Sequence, residues 1–279
     1  GAMAAAAASR PILLYWNTRA LAEPIRLLLA HAGVDYEDRR LQVGPPPAYD
    51  KSAWLPLKED LRDCLSFPNL PAWVDAARGI HLSQTHAIIT YLADCHGLVG
   101  SSPMERARAT MVLEQVRDWI NALFDVTYCN APWLGDQVEA GAHVAGADQA
   151  RPTPGFDKRR QTYGAEELPR HVAAFNTELE RTPGPWVVGE KLTFADFALC
   201  EVVDQHLALY PRLSVHEGAS CALLDHHARV LALPGVAAYR ASDRFRPEPI
   251  HNRYSHLHRG TLAAPGAGSV NLARVPATR

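Results

Sequence analysis

The chain has 279 residues, 47% of them hydrophobic and 21% charged, enough for two domains of ordinary size and far from the polar balance of a disordered chain. Its 28 basic and 30 acidic residues leave a net charge of −2, which offers no electrostatic footprint for a nucleic acid. No apolar run reaches the length needed to span a membrane, and the alanines at 4–8 are too short a run for a secretory core, so a cytoplasmic location is expected. The cysteines (Cys64, Cys95, Cys129, Cys200, Cys221) are odd in number and dispersed, with no C-x-x-C pair, against both a disulfide framework and a zinc ribbon.

In chain order, Gly1-Ala2-Met3 reads as a cloning remnant, and residues 1–10 are expected to lack order. Pro11 to Trp16 (PILLYW) predicts a buried strand, and Glu23 to Ala32 predicts a helix with Ile25, Leu28, Leu29 and Ala32 on one face, Pro24 in its first turn and Gly33 as its C-terminal cap. Tyr36 to Val43, rich in charge, suits an edge strand. Ala72 to Val74 and Ile80 to Leu82 flank the turn Asp75 to Gly79 as a hairpin, and Ser83 then caps a helix running through Leu92. This order predicts an α/β domain over residues 11–97, a small sheet covered by helices.

After a linker at 98–102, residues 103–258 carry helical patterns almost alone. Val112, Val116, Trp119, Ile120, Leu123 and Phe124 recur at helical spacing and predict a long core helix. Residues 131–165 hold five Gly, three Pro and seven Ala, which predicts an irregular surface insertion. Thr193-x-x-Asp196 is a capping box, a folding device rather than a catalytic one. Residues 259–279 are expected to form a disordered tail, since Thr261 to Arg279 has no aromatic and no acidic residue.

Four features stand together: Tyr15-Trp16 at the end of the first strand, Phe67-Pro68-Asn69-Leu70-Pro71 before the hairpin, Gln84-Thr85 opening the next helix, and Leu192-Thr193-Phe194-Ala195-Asp196 in the helical half. Their order and spacing resemble the cytosolic glutathione transferases from about Pro11 to Ile250. The segment Ala48 to Leu55 and the ending Tyr239 to Phe245 are similar to the mu class. The resemblance implies an N-terminal thioredoxin-like domain with a mixed four-stranded sheet, an all-helical C-terminal domain, a homodimer, and glutathione as co-substrate.

It further implies that Tyr15 is the catalytic residue, its hydroxyl donating to the glutathione thiolate. Trp16, Lys51, Trp54, Lys58, Asn69, Leu70, Pro71, Gln84 and Thr85 would hold the tripeptide: Trp54, Lys51 and Lys58 its glycyl carboxylate, Leu70 before a cis-proline its backbone, and Gln84 and Thr85 its γ-glutamyl end. Asp118 would reach the partner subunit's glutathione. Leu21, Tyr128, His251 and Asn252 would line the electrophile site, with Cys129 beside Tyr128 leaving the register open by one residue. His226, His227, His251, His256 and His258 lack the companions a metal site needs, and no metal is expected. Four departures from the family pattern stand out: Ala20 where glycine is common, Thr85 where serine is usual, His86 where an asparagine is found nearby, and Lys51 where arginine is common. The resemblance implies conjugation of glutathione to small hydrophobic electrophiles, with a glutathione-dependent isomerase and a non-catalytic hydrophobic-ligand scaffold as the other readings.

Overall fold

A computed structural model describes residues 10–45, 48–129, 154–213 and 221–258. The expected N-terminal remnant and C-terminal tail, and most of the expected insertion, lie outside these residues, apart from Arg10 at one border. The chain opens as β1 (Ile12–Trp16), α1 (Glu23–His31), β2 (Glu37–Leu41), α2 (Leu55–Leu61), β3 (Ala72–Asp75), β4 (Ile80–Ser83) and α3 (Thr85–Cys95). The strands form one mixed sheet in the order β2-β1-β3-β4. β1 runs parallel to β2 and antiparallel to β3, which pairs antiparallel with β4. The charged strand β2 thus takes the edge, where one row of its backbone groups faces no neighbouring strand.

α1 ends in a Schellman motif. Gly33, at φ 66°, donates to the Ala30 carbonyl, and the Val34 amide reaches back to Leu29 at 3.0 Å, the left-handed turn that glycine adopts without a Cβ clash. Unlike an ordinary surface helix, α1 buries every residue from Glu23 to Leu29, because the sheet covers one side and the helical half covers the other.

The second half comprises α4 (Pro103–Thr127), α5 (Pro154–Thr162), a π-helical turn (Tyr163–Glu167), α6 (Leu168–Arg181), α7 (Phe194–Leu209), α8 (Ala222–Leu231) and α9 (Pro234–Ala241). α4 starts on Ser102, whose hydroxyl accepts from the Glu105 amide at 3.1 Å, and it buries Val112, Val116, Trp119, Ile120 and Leu123 as the spacing predicts. α7 is the central helix. At its start Asp196 accepts from the Thr193 amide at 2.7 Å and the Val187 amide at 2.8 Å, so the capping box also pins the loop before it. Beyond α9 the chain returns to the first domain, where the Arg19 and Ala20 amides donate to the carbonyls of Pro249 and Ile250.

Two local expectations are corrected. Ser83 does not cap α3. It is the last residue of β4, and its hydroxyl donates to the Phe67 carbonyl at 2.6 Å, while Gln84 takes the cap position at φ 75°. Residues 154–165 are helical rather than irregular: the rings of Phe156 and Tyr163 are fully buried and Arg159 pairs with Glu167. Averaging composition over the whole segment hid these two anchors.

α9 crosses α1 at Gly235, where a Cβ would stand 2.5 Å from the Ala30 carbonyl oxygen. Replacing Gly235 by alanine is expected to force the helices apart and to cost about 1–3 kcal/mol. Chemical denaturation of the variant checks this, and a midpoint equal to the wild type's contradicts the crossing.

Candidate active site

A cleft of about 820 Å³ opens where the end of β1, the loop after it, the C-terminal end of α4 and the returning segment 249–258 meet. Tyr15 sits at its base, on the penultimate residue of β1 opposite Arg40 of β2. The Leu21 amide donates to the Tyr15 hydroxyl oxygen at 3.4 Å, a long bond that leaves the phenol proton to be donated elsewhere. Burial pushes the Tyr15 pKa up to about 12, against the opposing effects of the Leu21 amide and the Arg26 charge. Tyr15 is therefore a protonated donor throughout the neutral range.

Trp16, Leu21, Lys51, Trp54, Asn69 and Leu70 line the same cleft. Trp54 is buried at the start of α2, and Lys51 holds its ammonium 5.7 Å from the centre of the Tyr254 ring. The Leu70–Pro71 bond is cis. Leu70 does not present a free amide, as its N–H donates to the Asn69 side-chain oxygen at 2.9 Å, so that amide becomes available to a ligand when Asn69 turns away. Lys58 lies one turn into α2, bonded through its backbone to Trp54, and is not part of the cleft wall.

Gln84 is exposed at the head of α3. Thr85 donates to the Leu21 carbonyl at 3.2 Å and faces an adjoining cavity of about 180 Å³, which shares Ala20 and Leu21 with the cleft. Asp118 is exposed on α4, outside both walls, and its charge acts on His171 of α6. From α4, Leu113, Val116, Arg117, Ile120 and Asn121 line the smaller cavity, Arg117 and Asn121 being the polar ones.

On the opposite wall, Tyr128 follows α4 directly, and both it and Cys129 face the cleft. The Asn252 amide donates to the Tyr128 hydroxyl at 3.3 Å, and burial holds this phenol well above its ordinary range, so it also keeps its proton. Asn252 itself lines the cleft, but His251 does not. Its ring is fully buried behind Tyr128, with Nε2 bonded to Gln205 at 3.0 Å and Nδ1 to Thr127 and Ser255 at 3.2 Å each. The expected electrophile contact for His251 is thus corrected to a supporting position.

Asp125, Arg159 and Tyr254 complete the wall without having been singled out in the sequence, and Phe124, expected in the core of α4, is half-buried and lines the cleft instead. Arg159 comes from α5, inside the segment whose composition reads as irregular. Tyr254 comes from a stretch without helix or strand, where no periodicity marks an inward face. Among the described residues no group of three or more His, Cys, Asp or Glu could hold a metal ion, and no helix is long and apolar enough to cross a membrane.

The comparisons agree across both halves. A family model described as "Glutathione S-transferase, N-terminal domain" matches residues 11–94, and another described as "Glutathione S-transferase, C-terminal domain" matches residues 145–243. Glutathione S-transferase Mu 4 of Homo sapiens is 34% identical over 239 residues, covering 86% of this chain and 94% of that protein. Glutathione S-transferase Mu 1 of Oryctolagus cuniculus is 35% identical over 237 residues, covering 85% and 93%. Among solved structures, the glutathione S-transferase Blo t 8 superposes with a TM-score of 0.70 at 24% identity, covering 89% of this chain and 100% of that one. The Pi-class enzyme of Onchocerca volvulus superposes with a TM-score of 0.66 at 22% identity, covering 88% and 99%. With a thioredoxin-like half carrying the buried tyrosine, a helical half closing the cleft over it, and matches along nearly the whole length, the chain belongs to the glutathione S-transferase family.

Proposed function

We propose that this enzyme uses glutathione as its co-substrate and conjugates its thiolate to small hydrophobic electrophiles, with Tyr15 stabilising the sulfur anion. The observation that carries this reading is the Tyr15 hydroxyl at the base of the cleft, protonated at neutral pH, its oxygen taking a bond from Leu21 and its proton free to donate. A free thiol has a pKa of about 8.5 and only its anion attacks carbon. One hydrogen bond to a charged acceptor contributes roughly 1.5–3 kcal/mol, enough to lower that pKa by one to two units and make the thiolate the prevailing form near pH 7.

Glutathione would lie along the first domain, its cysteine at Tyr15 and its backbone against Leu70, with Trp54, Lys51 and Lys58 toward the glycyl carboxylate and Gln84 and Thr85 toward the γ-glutamyl end. The electrophile would meet the sulfur from the opposite wall, between Leu21, Tyr128 and Asn252. The aromatic side chains of Phe124 and Tyr254 there support an apolar partner. A second copy of the chain would complete the site through Asp118. Large apolar side chains left exposed on Phe67, Met104 and Met111, the last two spaced two turns apart on α4, support such an interface.

Replacing Tyr15 by phenylalanine is expected to lower kcat with a chloronitrobenzene-type electrophile by roughly tenfold to a hundredfold, the equivalent of one charge-assisted bond, with little change in glutathione KM. Undiminished turnover by this variant would falsify the assignment. In the wild type, kcat/KM for the electrophile should fall tenfold per pH unit below the pKa of the bound thiol, because protonation removes the nucleophile. It should stay level above that value to about pH 9, because Tyr15 keeps its proton to about 12. A second decline below pH 9 would show that another group limits the reaction. Asp118→Asn should raise glutathione KM by up to about fivefold, as for a partly exposed charge pair, leaving kcat unaltered. Sedimentation analysis would show one species at twice the chain mass, and a monomer with full activity would refute the shared site.

A further inference from the structure

Gln205 projects from the middle of α7 into the seam between the two domains and is 1% exposed. Every polar atom of its amide is engaged. Nε2 donates to the Ala20 carbonyl at 3.1 Å and to Glu201 Oε1 at 2.8 Å, and Oε1 faces His251 Nε2 at 3.0 Å. Two acceptors on one side and a ring nitrogen on the other fix which way the amide points. Oε1 can only accept, so His251 must carry its proton on Nε2, leaving Nδ1 to accept from the Thr127 hydroxyl, while the nearby Ser255 hydroxyl is placed to donate to the Thr127 carbonyl. Burial lowers the His251 pKa to about 3, and this neutral form persists across the working range.

The bond to Ala20 bears on chemistry through the planarity of the peptide unit. The Ala20 carbonyl and the Leu21 N–H belong to one rigid trans peptide and point in opposite directions. Whatever grips the carbonyl therefore aims the amide, and this amide is the one that donates to the Tyr15 hydroxyl oxygen. The grip is needed because Ala20 sits at φ 30°, a left-handed region that a residue with a Cβ enters at a cost. On its other side, through His251, Gln205 supports the ring of Tyr128, which stacks on the imidazole at 5.4 Å and 16°.

We propose that Gln205 is a positioning residue of the transferase reaction: by holding the Ala20–Leu21 peptide and the His251 ring at once, it sets the Tyr15 hydroxyl against the thiolate and Tyr128 against the electrophile. This rests on the reading of Tyr15 as the thiolate's donor. It assigns part of the catalytic geometry to a side chain of the helical domain that acts through the Ala20–Leu21 peptide and His251.

The test titrates the ultraviolet absorbance of the glutathione thiolate in the binary complex for wild type, Gln205→Met, Tyr15→Phe and the double variant, with kcat and glutathione Kd measured alongside. Gln205→Met keeps the volume and removes both ends of the clamp. It is expected to move the thiolate midpoint upward and lower kcat about tenfold with Kd unchanged, and to add nothing further in the Tyr15→Phe background. Gln205→Asn retains a buried amide but is one methylene too short to reach Ala20. It should shift the midpoint in the same direction, and it decides the matter if the methionine variant does not fold. A wild-type midpoint in a folded Gln205 variant, or an equal shift with and without the Tyr15 hydroxyl, overturns this inference alone. A midpoint untouched by Tyr15→Phe overturns the thiolate reading and this inference with it.

Discussion

The cleft depends on a fully buried cation. Arg19, in the loop after β1, extends its guanidinium out of the first domain and pairs with Glu201 and Asp204 of α7. A lone charge in such surroundings would be prohibitively costly, so the two domains hold their relative position wherever this pairing is made. Burial by itself would raise the Asp204 pKa, yet the Arg19 charge, the hydrogen bond to His227 and the Arg240 charge hold it well below the ordinary carboxylate range. Removing one partner from such an arrangement leaves an uncompensated buried charge and typically costs about 3–5 kcal/mol. The pairing lies between α1 and α7, the two helices at the seam, which are buried nearly all round.

The same loop carries the chemistry. Arg19 anchors it to α7, Ala20 turns it through a left-handed backbone conformation, and Leu21 delivers an amide to Tyr15 while accepting a bond from Thr85 through its carbonyl. Each of these contacts leads either to the sheet that places the phenol or to the helical domain that closes the cleft. The seam between the domains and the cleft therefore share a few residues, Gln205 among them through its bonds to the Ala20 carbonyl, Glu201 and His251.

Much of the site is legible residue by residue. Tyr15 is the penultimate residue of the run Pro11 to Trp16, so its position near the mouth of a buried strand follows from the strand's length. Leu70-Pro71 and Gln84-Thr85 sit directly before a strand and at the head of a helix, places that local signals mark. Tyr128 and Asn252 also reach the cleft. His251 was not separable from Asn252 in the sequence, because neighbours in an irregular segment can point in any direction and only the fold shows which is inside. Arg159 escaped for a related reason: α5 is held by two aromatic anchors at 156 and 163, too few to outweigh the glycine and alanine around them.

The sequence by itself determined the family, the division into a mixed α/β half and a helical half, the long core helix and the place of Tyr15 near the end of the first strand, because periodicity, caps and short motifs are encoded within a few residues. Tertiary structure alone decided which side chains of α7 become charge partners for the first domain, that Ala20 is held in a left-handed turn by Gln205, and that His251 lies behind the wall rather than on it. These outcomes join residues between 46 and 185 positions apart. Hydrogen bonds and ion pairs between them exist only after both domains have folded against each other, and no local pattern records them.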